Sequence, residues 1–155
     1  MPDDSHRPAP LPLTADEYAL VKALRPAMAA LTRAFDTNLH PLGLTHAEYI
    51  VLMFLSEAPD RALRLGDLAG LCHQSPSHTG RTVQRLQSEG LVVREQCSQD
   101  ARSFRATLTD AGLARLEQAW PLHITGVRHR LFDQLEGIDV GKLAAAFERI
   151  ADTTD

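Results

Sequence analysis

The N-terminal part of the chain carries a long stripe of apolar residues at helical spacing. Thr14 and Glu17 have the spacing of a capping box, in which each side chain binds a free backbone N–H of the other residue, so they predict a helix start. Pro26 lacks a backbone N–H and is expected to kink or split this helix. The apolar residues that recur at steps of three or four are Leu20, Leu24, Met28, Leu31, Phe35 and Leu39.

Two shorter helices are predicted next. Thr45 and Glu48 form a second capping box, which predicts another helix start. The uninterrupted apolar run at residues 49–55 indicates that this helix is buried on all sides. Residues 64–72 predict a third short helix, because their leucines recur at steps of three along one side.

The clearest helix start in the chain is at Ser75, a favoured N-cap residue that is followed directly by Pro76. The fourth helix continues to just before Gly90, which suits the left-handed conformation of a helix C-terminus. Residues 91–94 and 103–108 then predict the two strands of a hairpin, joined by a polar turn.

Two more helices complete the pattern. Thr109 is the expected N-cap of a long amphipathic helix, which Pro121 is expected to bend and Gly137 to end. Asp139 is the expected cap of the last helix. The predicted order is therefore α-α-α-α-β-β-α-α.

A helix-turn-helix lies at the centre of this order. The third and fourth helices are separated only by residues 73–75, which is the short break of that motif. The hairpin after the second of these helices makes the motif a winged one. The predicted fold class is mainly α (α+β), a winged helix-turn-helix with additional helices at both ends.

Length and composition restrict the function classes. A chain of 155 residues with 44% hydrophobic and 23% charged residues is expected to form one globular domain. It has no apolar run near the length of a membrane span, and its first residues lack the pattern of a secretory signal. The chain also contains only two cysteines. Together with the missing membrane span and secretory signal, this predicts a cytoplasmic protein without a disulfide framework.

The net charge of −4 taken alone disfavours nucleic-acid binding. Charge is however segregated along the chain. Residues 61–105 contain seven arginines and four acidic residues, a net charge of +3, whereas the remainder has a net charge of −7. A basic segment between acidic flanks indicates a nucleic-acid surface set between surfaces of other kinds.

The fourth helix has the polar face that a DNA major groove requires. Its expected buried side carries Thr79, Val83 and Leu86. Arginine can pair with guanine through two hydrogen bonds, and the free N–H groups near Ser75 can bind a phosphate. The side chains expected on the outer face are Ser77, His78, Arg81, Thr82 and Arg85.

The segment that contains these features resembles a known family. Residues 65–94 read LGDLAGLCHQSPSHTGRTVQRLQSEGLVVR, followed by DAR at residues 100–102 and LTDAG at residues 108–112. The combined pattern resembles the MarR (multiple antibiotic resistance regulator) family. The resemblance implies a homodimeric transcription factor whose recognition helices enter successive major grooves of a pseudo-palindromic operator in double-stranded DNA. It further implies a repressor of its own and neighbouring genes.

The sequence and the resemblance together imply a division of the chain. Residues 1–13, which are rich in proline, form a flexible arm, and residues 14–44 form the first dimerisation helix. Residues 45–108 form the DNA-binding domain, and residues 109–155 form the C-terminal dimerisation helices. The two terminal apolar stripes agree with this division, because they are too long for one small core.

The resemblance assigns a second DNA contact to the wing. The family's Asp-x-Arg element matches Asp100 and Arg102. It implies that Arg102 enters the minor groove and that Asp100 holds neighbouring basic groups in position. Phe104 stands where charged residues are frequent in the family, and it is expected to pack the wing onto the domain, leaving Arg102 and Arg105 for DNA.

Many members of this family bind a small aromatic or phenolic ligand between the dimer base and the DNA-binding lobe, and the ligand releases the operator. Such a ligand site has no sequence motif, so the simpler interpretation of each candidate is an ordinary core or rim residue. The candidates in this chain are Arg25, His46, Tyr49, Met53 and Trp120.

Other functions remain as alternatives. A thiol-based redox switch would use Cys97 in the wing, whereas Cys72 is expected to be buried. A winged helix that binds only another protein would not need the row of arginines. No nucleophile, phosphate-loop or metal motif occurs, so we expect no enzyme, no cofactor and no metal site, although Cys72, His73 and His78 are close in sequence.

Overall fold

The computed structural model describes residues 12–97 and 100–152, and it describes the side chains of these residues except those of residues 97 and 100–102. The predicted arm at residues 1–13 therefore lies almost entirely outside the described residues. The helices are α1 (Ala15–Leu39), α2 (His46–Glu57), α3 (Leu65–Leu71), α4 (Pro76–Ser88), α5 (Asp110–Arg130) and α6 (Val140–Asp152), with short 3-10 turns at His40–Leu42, Pro59–Arg61 and Phe132–Leu135. The strands are β1 (Ala62–Arg64), β2 (Val92–Cys97) and β3 (Asp100–Leu108).

The predicted fold class and helix order are confirmed, and the sheet has one strand more than predicted. The strands are antiparallel in the order β1-β3-β2. In the centre of the sheet, Thr107 of β3 lies opposite both Ala62 of β1 and Val93 of β2. The prediction missed β1 because three residues are too few to show the alternation of a strand.

The predicted helix starts are present as hydrogen bonds. Thr14 and Thr45 each complete a capping box with the glutamate three residues later. The side chain of Ser75 accepts a hydrogen bond from the N–H of His78 at the start of α4, and Thr109 caps α5 in the same way. These caps set the ends of the helices that flank the sheet.

The prolines do not split the long helices. α1 continues for 25 residues across Pro26, and α5 continues for 21 residues across Pro121. Pro26 therefore does not split the first helix, and a kink at Pro26 stays a prediction. A proline removes one backbone hydrogen bond, and the helical turns on both sides are long enough to continue without it.

The core lies where α2 and α4 pack against the sheet and the first half of α5. α2 contributes Tyr49, Val51, Leu52 and Leu55, each of them buried. The helix is not buried on all sides as predicted, because Ile50, Met53 and Phe54 are only half-buried. α4 adds Val83 and Leu86, the sheet adds Val92, Ala106 and Leu108, and α5 adds Leu116 and Ala119.

The two terminal helices leave most of their apolar side chains outside this core, which Leu39 at the end of α1 joins. Every residue from Ala15 to Ala30 is exposed, and Leu24 and Met28 are 46% and 57% exposed. None of the 13 residues of α6, all of which the structure describes, is buried, and Phe147 and Ile150 are exposed. Within the described ranges, no helix is long and apolar enough to cross a membrane.

Candidate nucleic-acid interface

α4 is held in place by the turn that precedes it and by its buried side. The turn between α3 and α4 includes His73 in the left-handed region (φ 49°), which reverses the chain within a few residues. Thr79, Val83 and Leu86 are buried, as predicted, and pack α4 onto α2 and the sheet. The opposite side of α4 therefore faces solvent.

The solvent-facing side of α4 is polar and carries no acidic residue between Pro76 and Ser88. Ser77, His78 and Arg81 are exposed there, and so is Gln84, which the prediction omitted. Among the described residues, Arg81 has no ion pair or hydrogen bond. Its guanidinium is thus available to a ligand outside the chain.

Thr82 does not lie on this outer face, contrary to the prediction. Only 9% of Thr82 is exposed, and its hydroxyl donates a hydrogen bond to the carbonyl of His78 at 3.1 Å. It precedes the buried Val83 by one position, and the packing around α4 extends far enough to cover both. Thr82 therefore supports the helix and presents no group to the outer surface.

Arg85 is half-exposed, but its guanidinium is occupied within the chain. Its Nε lies 2.8 Å from Oε1 of Glu48 and 3.5 Å from Oε1 of Glu89. One of its terminal nitrogens also donates a hydrogen bond to the carbonyl of Gly43 at 3.2 Å. The sequence predicts that Arg85 lies on the outer side of α4. The structure shows in addition that Arg85 connects the end of α4 to the start of α2.

The wing projects beside α4. Arg105 is exposed on β3, whereas Phe104 packs against Arg94 of the neighbouring strand, with the guanidinium carbon 3.9 Å from the ring centroid. A cation over an aromatic face is attracted by the ring's charge distribution. Phe104 thus stabilises the hairpin itself. The side chains of Cys97, Asp100 and Arg102 lie outside the described residues.

A cluster of four rings joins α1, α2 and α5. The ring of His123 on α5 lies 4.3 Å from Tyr49 and 5.1 Å from Phe35, measured between centroids. His46 stacks on His123 at 5.4 Å. Among the described residues, neither Nδ1 of His123 nor the hydroxyl of Tyr49, both buried, has a hydrogen-bond partner.

Burial controls the protonation of this cluster. Burial lowers the pKa of His46 and His123, and the neighbouring His46 lowers the pKa of His123 further. Asp36, which accepts a hydrogen bond from the backbone N–H of His46 at 2.7 Å, partly opposes the shift of His46. Burial also raises the pKa of Tyr49 to about 12. His46, His123 and Tyr49 are therefore uncharged at neutral pH.

Of the five ligand candidates from the sequence, the structure brings only His46 and Tyr49 into this cluster. Met53 is half-buried against the core, and Arg25 and Trp120 are exposed. The prediction missed Phe35 and His123 as partners of the candidate pair. For His123 a signal was present, because it lies seven residues after the buried Leu116 on the same side of α5.

The cysteine that the structure describes fully has the character of a core residue. Cys72 is half-buried and packs against the hydrophobic core. Burial raises the pKa of its thiol, so the reactive thiolate form is disfavoured. This agrees with a packing role for Cys72.

Comparison with known proteins agrees with the winged helix-turn-helix and with the polar outer face of α4. The model of the MarR family matches residues 42–103. The HTH-type transcriptional repressor Mb2911 of Mycobacterium bovis is 32% identical over 105 residues, which are 68% of this chain and 74% of that protein.

Two solved structures from Streptomyces coelicolor are similar over almost the whole chain. AbsC, a MarR family transcriptional regulator, is 32% identical, with 92% of this chain and 96% of that chain covered and a TM-score of 0.82. Sco3205, also a MarR family transcriptional regulator and solved in complex with DNA, is 32% identical, with 94% and 92% covered and a TM-score of 0.86. The chain belongs to the MarR family of transcriptional regulators.

Proposed function

We propose that the protein is a homodimeric, sequence-specific DNA-binding repressor of its own and neighbouring genes. The outer face of α4 carries this proposal. It is exposed and free of acidic residues, and it presents Arg81, which has no partner among the described residues. Such a face suits the major groove, where arginine can recognise guanine.

The DNA contacts on α4 divide by position. Ser75 and Ser77 lie at the helix N-terminus, where free N–H groups favour a phosphate. His78 and Arg81 lie further along the exposed face and can reach base edges. Arg85 is placed beside this face, with its guanidinium held by Glu48.

The relatives support the proposal. The similar protein Sco3205 is solved in complex with DNA, and Mb2911 is named as a transcriptional repressor. The similarity to Sco3205 covers 94% of this chain.

The wing provides the second contact, through Arg105 and the Asp-x-Arg match at Asp100 and Arg102. An arginine in a narrow minor groove is attracted by the strong negative potential there. The variant Arg102→Ala is therefore expected to weaken operator binding by about 1–3 kcal/mol with little change in folding. Unchanged affinity in a binding titration would show that Arg102 is not used.

The homodimer rests on the terminal helices. Their exposed apolar side chains, including Leu24, Met28, Phe147 and Ile150, find no core within one chain. Burying them against a second copy is favourable, because apolar surface is removed from water. Residues 14–44 and 109–155 then form the dimer base, and residues 45–108 form the DNA-binding lobe.

Release by a small aromatic or phenolic ligand is the proposed means of regulation. A groove of about 810 Å³ runs between the start of α2 and the helix-turn-helix. His46 belongs both to this groove and to the ring cluster, and Arg81 also lines the groove. A ligand in the groove would therefore contact the DNA-binding face directly.

An electrophoretic mobility shift experiment tests DNA binding. The probe is the DNA upstream of the protein's own gene, compared with a scrambled duplex at two salt concentrations. We expect specific binding that weakens steeply with salt, a loss of about 1–3 kcal/mol in Arg81→Ala, and no loss in Arg128→Ala, which changes an exposed arginine of α5. Absence of a shift at low salt would refute the proposal.

A thermal-shift screen with aromatic acids, phenols and oxidants tests the regulation. A ligand that binds the folded protein raises the melting temperature by mass action. The same compound is then expected to dissociate the DNA complex. If no small molecule raises the melting temperature and an oxidant alone releases DNA, the redox alternative through Cys97 replaces the ligand.

A further inference from the structure

The carboxylate of Glu48 is buried and fully used within the chain. Only 3% of the residue is exposed. Its Oε2 accepts hydrogen bonds from the N–H and the hydroxyl of Thr45 at 2.7 and 2.9 Å, and its Oε1 pairs with Arg85. A buried carboxylate is tolerated only when it is paired in this way, so Glu48 and Arg85 constrain each other.

Arg85 occupies a place on α4 where a free arginine would add to the DNA contacts. It lies four residues after Arg81, so the two are neighbours along the helix. Arg81 has no partner among the described residues, whereas the Nε of Arg85 faces Glu48 and another of its nitrogens binds Gly43. The sequence therefore does not distinguish the two arginines, whereas in the structure only the guanidinium of Arg85 has partners among the described residues.

We infer that Glu48 is a positioning residue of the recognition helix, which withholds Arg85 from DNA and fixes the end of α4 on α2. The inference rests on the proposed function, because it concerns how that function is tuned. With Arg85 neutralised, non-specific attraction to the DNA backbone depends on fewer cations. Specificity then depends more strongly on the groups that read bases, such as Arg81.

The salt dependence of DNA binding reports this arrangement directly. Each phosphate neutralised by a protein cation adds about 0.9 to the magnitude of the slope of log affinity against log salt. The variant Glu48→Gln removes the negative charge and keeps a side chain that can complete the capping box with Thr45. Arg85 would then be released to bind a phosphate.

The experiment measures fluorescence anisotropy with the operator fragment and with a scrambled duplex, between roughly 50 and 200 mM salt. We expect Glu48→Gln to bind the scrambled duplex roughly fivefold to tenfold more tightly at about 0.1 M salt, and to steepen the slope by about 0.9. The preference for the operator is expected to fall. Glu89→Gln, which removes the weaker and more exposed partner of Arg85, is the matched control and is expected to leave both quantities unchanged.

The double variant Glu48→Gln, Arg85→Gln removes both charges and is expected to return to the slope of the unmodified protein. A slope smaller by about 0.9 would show that Arg85 already binds a phosphate, and would overturn the inference. An unchanged slope in folded Glu48→Gln would overturn it as well. Failure of the proposed function is distinct, because the unmodified protein would then bind operator and scrambled duplex equally.

Discussion

The imidazole rings of His46 and His123 are stacked at 5.4 Å, although one residue lies at the start of α2 and the other in the middle of α5. The pKa of each is lowered from its ordinary value by burial. This pair joins the DNA-binding lobe to one of the terminal helices through groups that are uncharged at neutral pH.

The stacked pair makes stability depend on pH. As the pH falls below about 6.5, the unfolded chain takes up protons that the folded chain does not, so stability is complete above that pH and decreases below it. We expect a loss of about 1 kcal/mol between about pH 7.5 and 5.5, a modest figure because part of the cluster is open to solvent. Urea denaturation at the two pH values measures it.

The variant His123→Phe separates this effect from general acid sensitivity. It keeps an aromatic ring against Tyr49 and removes one titrating group, so the pH-dependent loss is expected to be smaller. His40→Gln, at an exposed histidine outside the cluster, is expected to behave like the unmodified protein. Equal pH dependence in all three proteins would contradict the assignment.

Removing Arg85 while Glu48 remains is expected to destabilise the fold. Arg85→Ala leaves the buried carboxylate without its cation, and we expect a loss of about 2–3 kcal/mol, below the range for a fully buried pair because Arg85 is half-exposed. Glu89→Ala is expected to cost less than about 0.5 kcal/mol, since that ion pair is long and more exposed. Similar unfolding free energies for the two variants would argue against the pairing.

Two glycines are expected to respond in opposite ways to alanine. A Cβ at Gly112 would overlap the backbone oxygen of Leu91 and the side chain of Leu108, so Gly112→Ala is expected to destabilise by about 2 kcal/mol. A Cβ at Gly80, inside α4, meets nothing within 4 Å, and alanine there is expected to stabilise by about 0.5–1 kcal/mol. Thermal denaturation of both variants provides the comparison, and a stable Gly112→Ala would contradict the close approach.

The proposed dimer is expected to depend on the apolar stripe of α1. Leu24→Glu places a charge on that stripe and is expected to raise the dissociation constant of the dimer at least about tenfold, equivalent to about 1.4 kcal/mol. Lys22→Glu introduces the same side chain on the side of α1 opposite the stripe and is the control. Sedimentation velocity over a range of concentrations measures both variants, and a dimer unaffected by Leu24→Glu would exclude this interface.

Local signals predicted the helix starts well, whereas α5 ends at Arg130 and not at Gly137 as predicted. Thr14, Thr45, Ser75 and Thr109 all cap helices as their neighbours in sequence indicated. Capping depends on residues within one turn, so a single sequence contains the information. The short strand β1 was missed because its pairing with β3 is a contact between distant parts of the chain.

The candidate site was predicted less completely, for the same physical reason. Glu48 was identified only as a capping residue, because its second partner, Arg85, is 37 positions away. The helical periodicity of α4 predicted that Thr82 lies on the outer face. The width of the packed side of α4 depends on neighbouring elements, so the burial of Thr82 could not be predicted from the local sequence. The pairing of His46 with His123 requires the crossing of α2 and α5, which no local pattern contains.

A single residue, Thr109, connects the wing to the long helix α5. Its hydroxyl donates a hydrogen bond to the carbonyl of Gly90 at 2.8 Å, and its N–H donates one to the carbonyl of Leu91 at 3.1 Å. Both carbonyls lie directly after α4. The start of α5 is therefore tied to the end of α4 by two hydrogen bonds, and to β3 by a connection of one residue. In the proposed homodimer, the position of α5 in each copy would then help to set the distance between the two recognition helices, and with it the separation of the operator half-sites. In an operator lengthened by a few base pairs, only one of the two recognition helices should then be able to contact its half-site.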